Sequence, residues 1–235
     1  MITKVIIDPK GEIHYYKKGD FHTHFGFLKE QEITNGIVKS NLGKEFLVFD
    51  ASFIDNLHEI KRGPAIAHYK DIGVIITTTG VGVNAKVVDA GAGCAHLSSY
   101  LARIGCKVTA YELNPEFFKI ASTNVDNLNL KVKIKNEDIY QGITEKDLDL
   151  LTLDLTEPWK VLPHAEKALK SGAFLVAYLP TITQVMELVK QLSNQFYFWK
   201  VSEVLEREWY VQDLKVRPKN QMLGHTAFLV FLRKV

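Results

Sequence analysis

Cysteine is nearly missing from this chain: Cys94 and Cys106 are the only two among 235 residues. That is too few for a disulfide framework or a four-ligand structural zinc site, so both are read as core thiols. No stretch approaches the roughly 18 consecutive apolar residues of a membrane-spanning helix. The opening MITKVIIDPKGE lacks an apolar core followed by a small-residue cleavage site, and the expectation is a cytoplasmic protein with no membrane partner. Excess charge is missing too. A net charge of +2 does not impose nucleic-acid binding as a strongly basic domain would. No Gly-x-Ser-x-Gly elbow and no Walker loop is present. His22-x-His24 is the nearest approach to a metal pair, but no third ligand stands at useful spacing, so hydrogen bonding or surface placement is expected and no metal.

What is present divides into two rhythms. Residues 1–60 carry strand-length runs between turn residues (KVIID, EIHYY, FGFL, EFLVFD) and read as a small β domain. A linker is expected near Arg62-Gly63-Pro64. Residues 61–235 alternate helix and strand. Asp71 to Thr79 reads as a helix ending at Gly80, KVVDA as the first strand, and Cys94 to Ile104 as the helix behind it. Asn114 and Pro115 supply an N-cap and first-turn proline to a helix with Phe117, Phe118, Ala121, Val125 and Leu128 on one face. VKIKNED, LDLLTLDL and AFLVAYL read as further buried strands, with helices near Pro163–Lys170 and Thr183–Gln191. Two long runs, FYFWKVSEVLEREWYV and HTAFLVFLRK, follow with only a polar loop, Gln212 to Gly224, between them. Without an intervening helix they must pair antiparallel. The fold class is α/β: a doubly wound sheet closing in an antiparallel strand, with a small N-terminal β domain.

The stretch VVDAGAGCAH, Val87 to His96, turns a buried strand into a helix through two glycines and so forms a candidate nucleotide cradle. Asp89, Gly91, Ala92, Gly93, Cys94, Ala95, His96 and Leu97 are its candidate cofactor-binding residues. Glu112 ends the next strand, where a carboxylate meets ribose hydroxyls. His96 occupies the position where a dinucleotide fingerprint places its third glycine. Together with the terminal antiparallel pair, this tilts the cofactor from NAD to S-adenosylmethionine.

Asp154 leaves the carboxyl end of the fourth strand, in the crevice where open α/β sheets bind ligands, and is the catalytic candidate. An N-cap for a turn near Pro158 is its alternative. Asp138, with Glu137 as rival, is placed to face a cofactor adenine. Trp159 is a packing aromatic unless a base comes near. Charge is uneven: residues 1–60 hold seven Lys, no Arg and nine acids, while residues 200–235 hold seven Lys or Arg against four acids. A phosphate backbone is therefore expected at the C-terminal part, through Arg217 and Lys219, with a solvated charged face as the alternative and commoner explanation of such a bias.

From Gly19 to Val235 the chain resembles the TrmI-type tRNA adenine-N1 methyltransferases, through GDFHTHFG, VVDAGAGCAHL, LDLTEPWKVL, LVAYLPTITQV and GHTAFLVFLRK. The resemblance implies a Rossmann-like fold, methyl transfer from S-adenosylmethionine to N1 of a T-loop adenosine in tRNA, and a homotetramer. It implies Asp154 as catalytic aspartate, Glu112 as ribose ligand and Asp138 as adenine-edge acid. The chain departs from the family at Cys94 and Ala95, which stand where GxGSG ends. It departs again in RGPAIAHYKD, where Ala65, His68 and Tyr69 replace Gln, Tyr and Pro of RxxQIxYPKD. His68 or Tyr69 is expected to take over the substrate contacts of the lost side chains, with Tyr178 and His225 also near the base. The alternatives are a methyltransferase acting on a protein carboxylate or small molecule, and a non-catalytic RNA-binding subunit.

Overall fold

The computed structural model describes every residue except Pro64 and Ala65. The chain forms two compact units, Met1–Lys61 and Arg62–Val235.

In the first unit, strands β1 (Lys4–Ile7), β2 (Ile13–Tyr16), β5 (Gly36–Lys39) and β6 (Glu45–Asp50) make an antiparallel sheet in the order β2-β1-β6-β5. Strands β3 (Phe21–Thr23) and β4 (Gly26–Leu28) form a separate hairpin, and a short helix α1 (Phe53–Leu57) follows the sheet. Period-two alternation is visible in β6: Phe46 and Val48 are buried with Ile6, Tyr16, Leu28 and Ile33, whereas Leu47 and Phe49 face outward. His22 lies in β3, but His24 falls beyond it and packs on the Phe25 ring.

The second unit contains α2 (Tyr69–Thr79), β7 (Lys86–Ala90), α3 (His96–Arg103), β8 (Lys107–Tyr111), α4 (Pro115–Asn127), β9 (Val132–Lys135), β10 (Leu148–Leu153), α5 (Leu162–Ala168), β11 (Leu169–Leu179), α6 (Ile182–Lys190), β12 (Phe196–Ser202), β13 (Trp209–Gln212), β14 (Lys215–Pro218) and β15 (Phe228–Lys234). Seven strands form one sheet in the order β12-β15-β11-β10-β7-β8-β9. The five from β9 to β11 are parallel, and β15 inserts antiparallel between β11 and β12. Successive side chains feed opposite faces. Val88, Leu151, Leu153 and Leu175 pack with Ala165 of α5 and Leu188 of α6, while Val87, Leu150, Phe174 and Val176 pack with Ile72 and Ile75 of α2 and Leu101 of α3. Both faces are covered, which is why the central strands read as continuous apolar runs.

Most helix signals are realised. Gly80 closes α2 in the left-handed region, and the Asn114 side chain accepts from the N–H groups of Glu116 and Phe117 at the start of α4. The long run Phe196–Val211 is not one strand. It ends at Ser202, and β13 then pairs with β14, drawn from the expected loop, to form an exposed hairpin of its own. Alternation there has no core to answer to: every residue from Trp209 to Arg217 is exposed. The helix expected from Cys94 begins instead at His96, because Ala95 adopts φ +64°.

Candidate functional site

The parallel strands end together at one edge of the sheet, and the loops after β7, β8 and β10 build a crevice there. Gly91 and Gly93 have φ of +80° and +56°, a conformation glycine adopts without the clash a side chain would bring. The turn is also tight against its neighbour: a Cβ on Gly91 would sit 2.1 Å from the Asp154 carbonyl oxygen. The N–H groups of Gly91 and Ala92 both donate to the Tyr111 carbonyl, and the Asp154 N–H donates to the Ala90 carbonyl. Glycine loop, β8 and β10 are thus locked at the point where Asp154 emerges.

Three acids converge. Asp89 is buried and accepts from Ser98 Oγ at 2.5 Å and Thr152 Oγ1 at 2.6 Å. Burial pushes its carboxyl above the usual carboxylate range. Glu112, also buried, accepts from the Gly93 N–H at 2.8 Å with one oxygen and from the Asn114 N–H at 2.8 Å with the other. It shapes the loop while each oxygen keeps a second lone pair for a hydroxyl donor. Asp154 is reached by solvent at the mouth of the crevice. Protein surrounds it on most other sides and, with the charges of Asp89 and Glu112, raises its carboxyl to about 7. No group among the described residues donates a hydrogen bond to its side chain, and the turn at Pro158 has no side-chain cap. The N-cap alternative for Asp154 is therefore wrong.

Two adjoining hollows share Asp154 and Tyr178. The inner one is lined by Asp89, Gly91, Ala92, Cys94, His96, Leu97 and Thr152. The outer one, about 580 Å³, is lined by Arg62, Ile66, His68, Pro180 and His225, within the range of pockets that hold a compact organic ligand. A nucleotide-like cofactor fits this setting. The loop offers a close backbone approach, and Glu112 offers the acceptors.

The remaining candidates separate. His68 faces the outer hollow, whereas Tyr69 packs against the rings of His96 and Tyr100 at 5.2 and 5.9 Å. His96 is buried, with Nδ1 on the Ala67 carbonyl at 2.9 Å and Nε2 without a partner among the described residues. Burial lowers its affinity for a proton. Cys94 and Ala95 are buried in the turn, where the Cys94 carbonyl accepts from Asn124 at 3.0 Å. Asp138 caps a single 3-10 turn through the Tyr140 N–H, while Glu137 is exposed beside Lys135 at 3.7 Å. Trp159 packs on the core. His225 bridges Glu203 and the Pro180 carbonyl at 2.5 and 2.9 Å, and these contacts raise its proton affinity. Arg217 and Lys219 belong to the β13–β14 arm, where Arg217 lies over the Tyr210 ring and Lys219 pairs with Glu208. Ala65 lies outside the described residues. Sequence reasoning missed Asp71, Lys70 and Thr226, which stand behind Tyr178. Its one available signal was a Lys-Asp pair at the start of a helix within RGPAIAHYKD.

The strand order and the glycine-loop crevice define a Rossmann-like methyltransferase of the S-adenosylmethionine-dependent fold. Residues 59–227 match the family described as tRNA methyltransferase complex GCD14 subunit. The chain is 32% identical to the tRNA (adenine(57)-N(1)/adenine(58)-N(1))-methyltransferase TrmI of Methanocaldococcus jannaschii, over 98% of this chain and 94% of that protein. It is 36% identical to the tRNA (adenine(58)-N(1))-methyltransferase TrmI of Thermus thermophilus, over 92% and 89%. Among solved structures it superposes on a SAM-dependent O-methyltransferase of Thermotoga maritima with a TM-score of 0.87, at 31% identity and covering 100% and 93% of the two chains. It superposes on the tRNA (m1A58) methyltransferase TrmI of Aquifex aeolicus with 0.82, at 26% identity and covering 99% and 96%. The chain belongs to the TrmI-type tRNA methyltransferase family.

Proposed function

We propose that this protein methylates N1 of a T-loop adenosine in tRNA with S-adenosylmethionine as donor, in the cytoplasm and as a homotetramer. The observation that carries the reading is Asp154: a carboxylate with no donor among the described residues, shared by the inner hollow and the outer hollow. Bound S-adenosylmethionine would supply an electrophilic methyl on a sulfonium. Glu112 would accept from its ribose hydroxyls, Asp138 would face its adenine, and the turn from Gly91 to Leu97 would hold its amino-acid end.

N1 lies on the pairing edge of adenine, so the base must leave its stack to reach the crevice. N1 already carries a lone pair, and no proton need be removed before attack. Positive charge grows on the base as the methyl arrives. Ionised Asp154 would accept from the exocyclic amino group, hold N1 in line and oppose that charge. Tyr178 and His68 would border the base, with His225 at the rim.

Incubation of an unmodified tRNA transcript with labelled S-adenosylmethionine tests the proposal. The expected product is 1-methyladenosine in the T-loop. Label on a ribose or base oxygen, or on protein, would overturn it in favour of another acceptor. Exposed apolar side chains at Trp209, Val211, Leu214 and Val216 on the arm, and at Ile37, Leu47 and Phe49 on the N-terminal sheet, support assembly. Sedimentation giving the mass of one chain would refute the tetramer.

A further inference from the structure

Asp71 is a fully buried acid that the chemistry above does not use. It stands in the first turn of α2, yet its carboxylate reaches strand β11 and the segment just before β15. One oxygen pairs with Lys70 Nζ at 2.9 Å. The other accepts from the Tyr178 phenol at 3.0 Å and from Thr226 Oγ1 at 2.7 Å, while Lys70 also donates to Thr226 at 2.5 Å. Tyr178 is in turn the aromatic shared with Asp154 by both hollows.

We infer that Asp71 is the positioning residue for Tyr178: it takes the phenol proton into a charge-assisted hydrogen bond, so that the ring is fixed and electron-rich where the methylated base becomes a cation. The inference rests on the proposed transfer to adenine. A phenol bonded to a carboxylate pushes electron density into its ring, and an electron-rich face attracts a cation beside it. Lys70 and Thr226 hold the carboxylate in place, so the phenol is not free to turn its hydroxyl toward the base. Burial and the Asp71 charge both keep that hydroxyl protonated.

The test is single-turnover methylation of tRNA transcript by the whole protein at saturating S-adenosylmethionine. Tyr178→Phe leaves the Asp71, Lys70 and Thr226 contacts to one another in place and removes only the phenolic hydroxyl, and its rate is expected to fall about tenfold. Fluorinated tyrosines incorporated at position 178 separate positioning from tethering. Each fluorine strengthens the phenol as a donor to Asp71 but draws electrons from the ring, so the rate should fall stepwise with fluorine number. A tether would hold or tighten. Asp71→Asn should lower the rate as Tyr178→Phe does, and the double variant should be no slower than either. Should Asp71→Asn fail to fold, the fluorinated series decides. Wild-type rates in Tyr178→Phe or in the fluorinated proteins, or additive losses in the double variant, would overturn the inference. Absence of 1-methyladenosine from the wild-type reaction would instead overturn the proposed function.

Discussion

The crevice at Asp154 and the β13–β14 arm lie in the same unit but spend their polar groups in opposite ways. In the crevice, Asp89, Glu112 and Asp71 are buried, and each is tied to backbone or hydroxyl donors that fix its orientation. Of these acids Asp154 alone has no donor among the described residues. On the arm, Lys219 pairs with Glu208 and Arg217 with Asn220, all within a dozen residues and in solvent, while Leu214 is 100% exposed. Surface pairs of that kind contribute little to stability. Buried acids that accept several hydrogen bonds cost more to disturb, because each lost partner leaves a desolvated group behind. Substitutions in the crevice should therefore change rates and affinities by large factors. Those on the arm should act only through what the arm meets.

The largest effect is expected from Asp154→Asn, which keeps shape and one acceptor but removes the charge opposing the cation on adenine. Turnover should fall by roughly 10²–10³ with tRNA affinity little changed, since phosphate contacts elsewhere supply most of the binding. Single-turnover rates at saturating cofactor and tRNA measure the chemical step. The wild-type rate should also climb as pH rises through about 7, where Asp154 ionises. A flat profile in the wild type, or an unslowed variant, would reduce Asp154 to a structural residue. Glu112→Ala comes next. It removes a ribose acceptor and frees the N–H groups of Gly93 and Asn114, so S-adenosylhomocysteine should bind about 1–3 kcal/mol more weakly by calorimetry. An unchanged affinity would place the ribose elsewhere.

A smaller effect concerns stability and runs against function. The folded-state carboxyl of Asp154 is raised from 3.8 to about 7. Between those values the folded chain holds a proton that the unfolded chain has released, so this group makes stability fall as pH rises through that window. Asp154→Asn abolishes the term. The ligand-free variant should melt higher than the wild type above about pH 7, and the gap should close at acid pH where both carboxyls are neutral. A variant that melts lower at every pH would show that the carboxylate is well satisfied in the fold.

The same contrast explains what was legible in the chain. Glycines flanking Ala92, Asn114 before Pro115 and the apolar runs of β7, β10 and β11 announce elements whose cause is local or lies in burial on both faces. Glu112 was legible as an acid at a strand end, but its bonds to Gly93 and Asn114 were not. Asp71 was not singled out, because its partners Tyr178 and Thr226 lie 107 and 155 residues away and only the sheet brings them near. The Trp209–Pro218 hairpin was misread for the opposite reason. Strand-like alternation there serves an exposed ribbon, and periodicity alone does not distinguish that from continuation of β12.

The smallest expected effect tests the arm itself. Counterion release makes tRNA affinity fall with salt, and each phosphate-neutralising cation contributes a slope of about one. Arg217 and Lys219 are not equivalent in this respect. Among the described residues Arg217 lies over the Tyr210 ring and bonds to neutral partners, leaving its charge uncompensated there, whereas Lys219 is already paired with Glu208. Arg217→Glu should flatten the slope by about one, and Lys219→Glu by clearly less, with melting temperature unchanged in both. Filter binding across a salt series gives the two slopes directly. Equal flattening would mean that RNA breaks the Lys219–Glu208 pair. No flattening in either would show that the tRNA backbone follows another face, and that the basic bias of the last residues serves solubility.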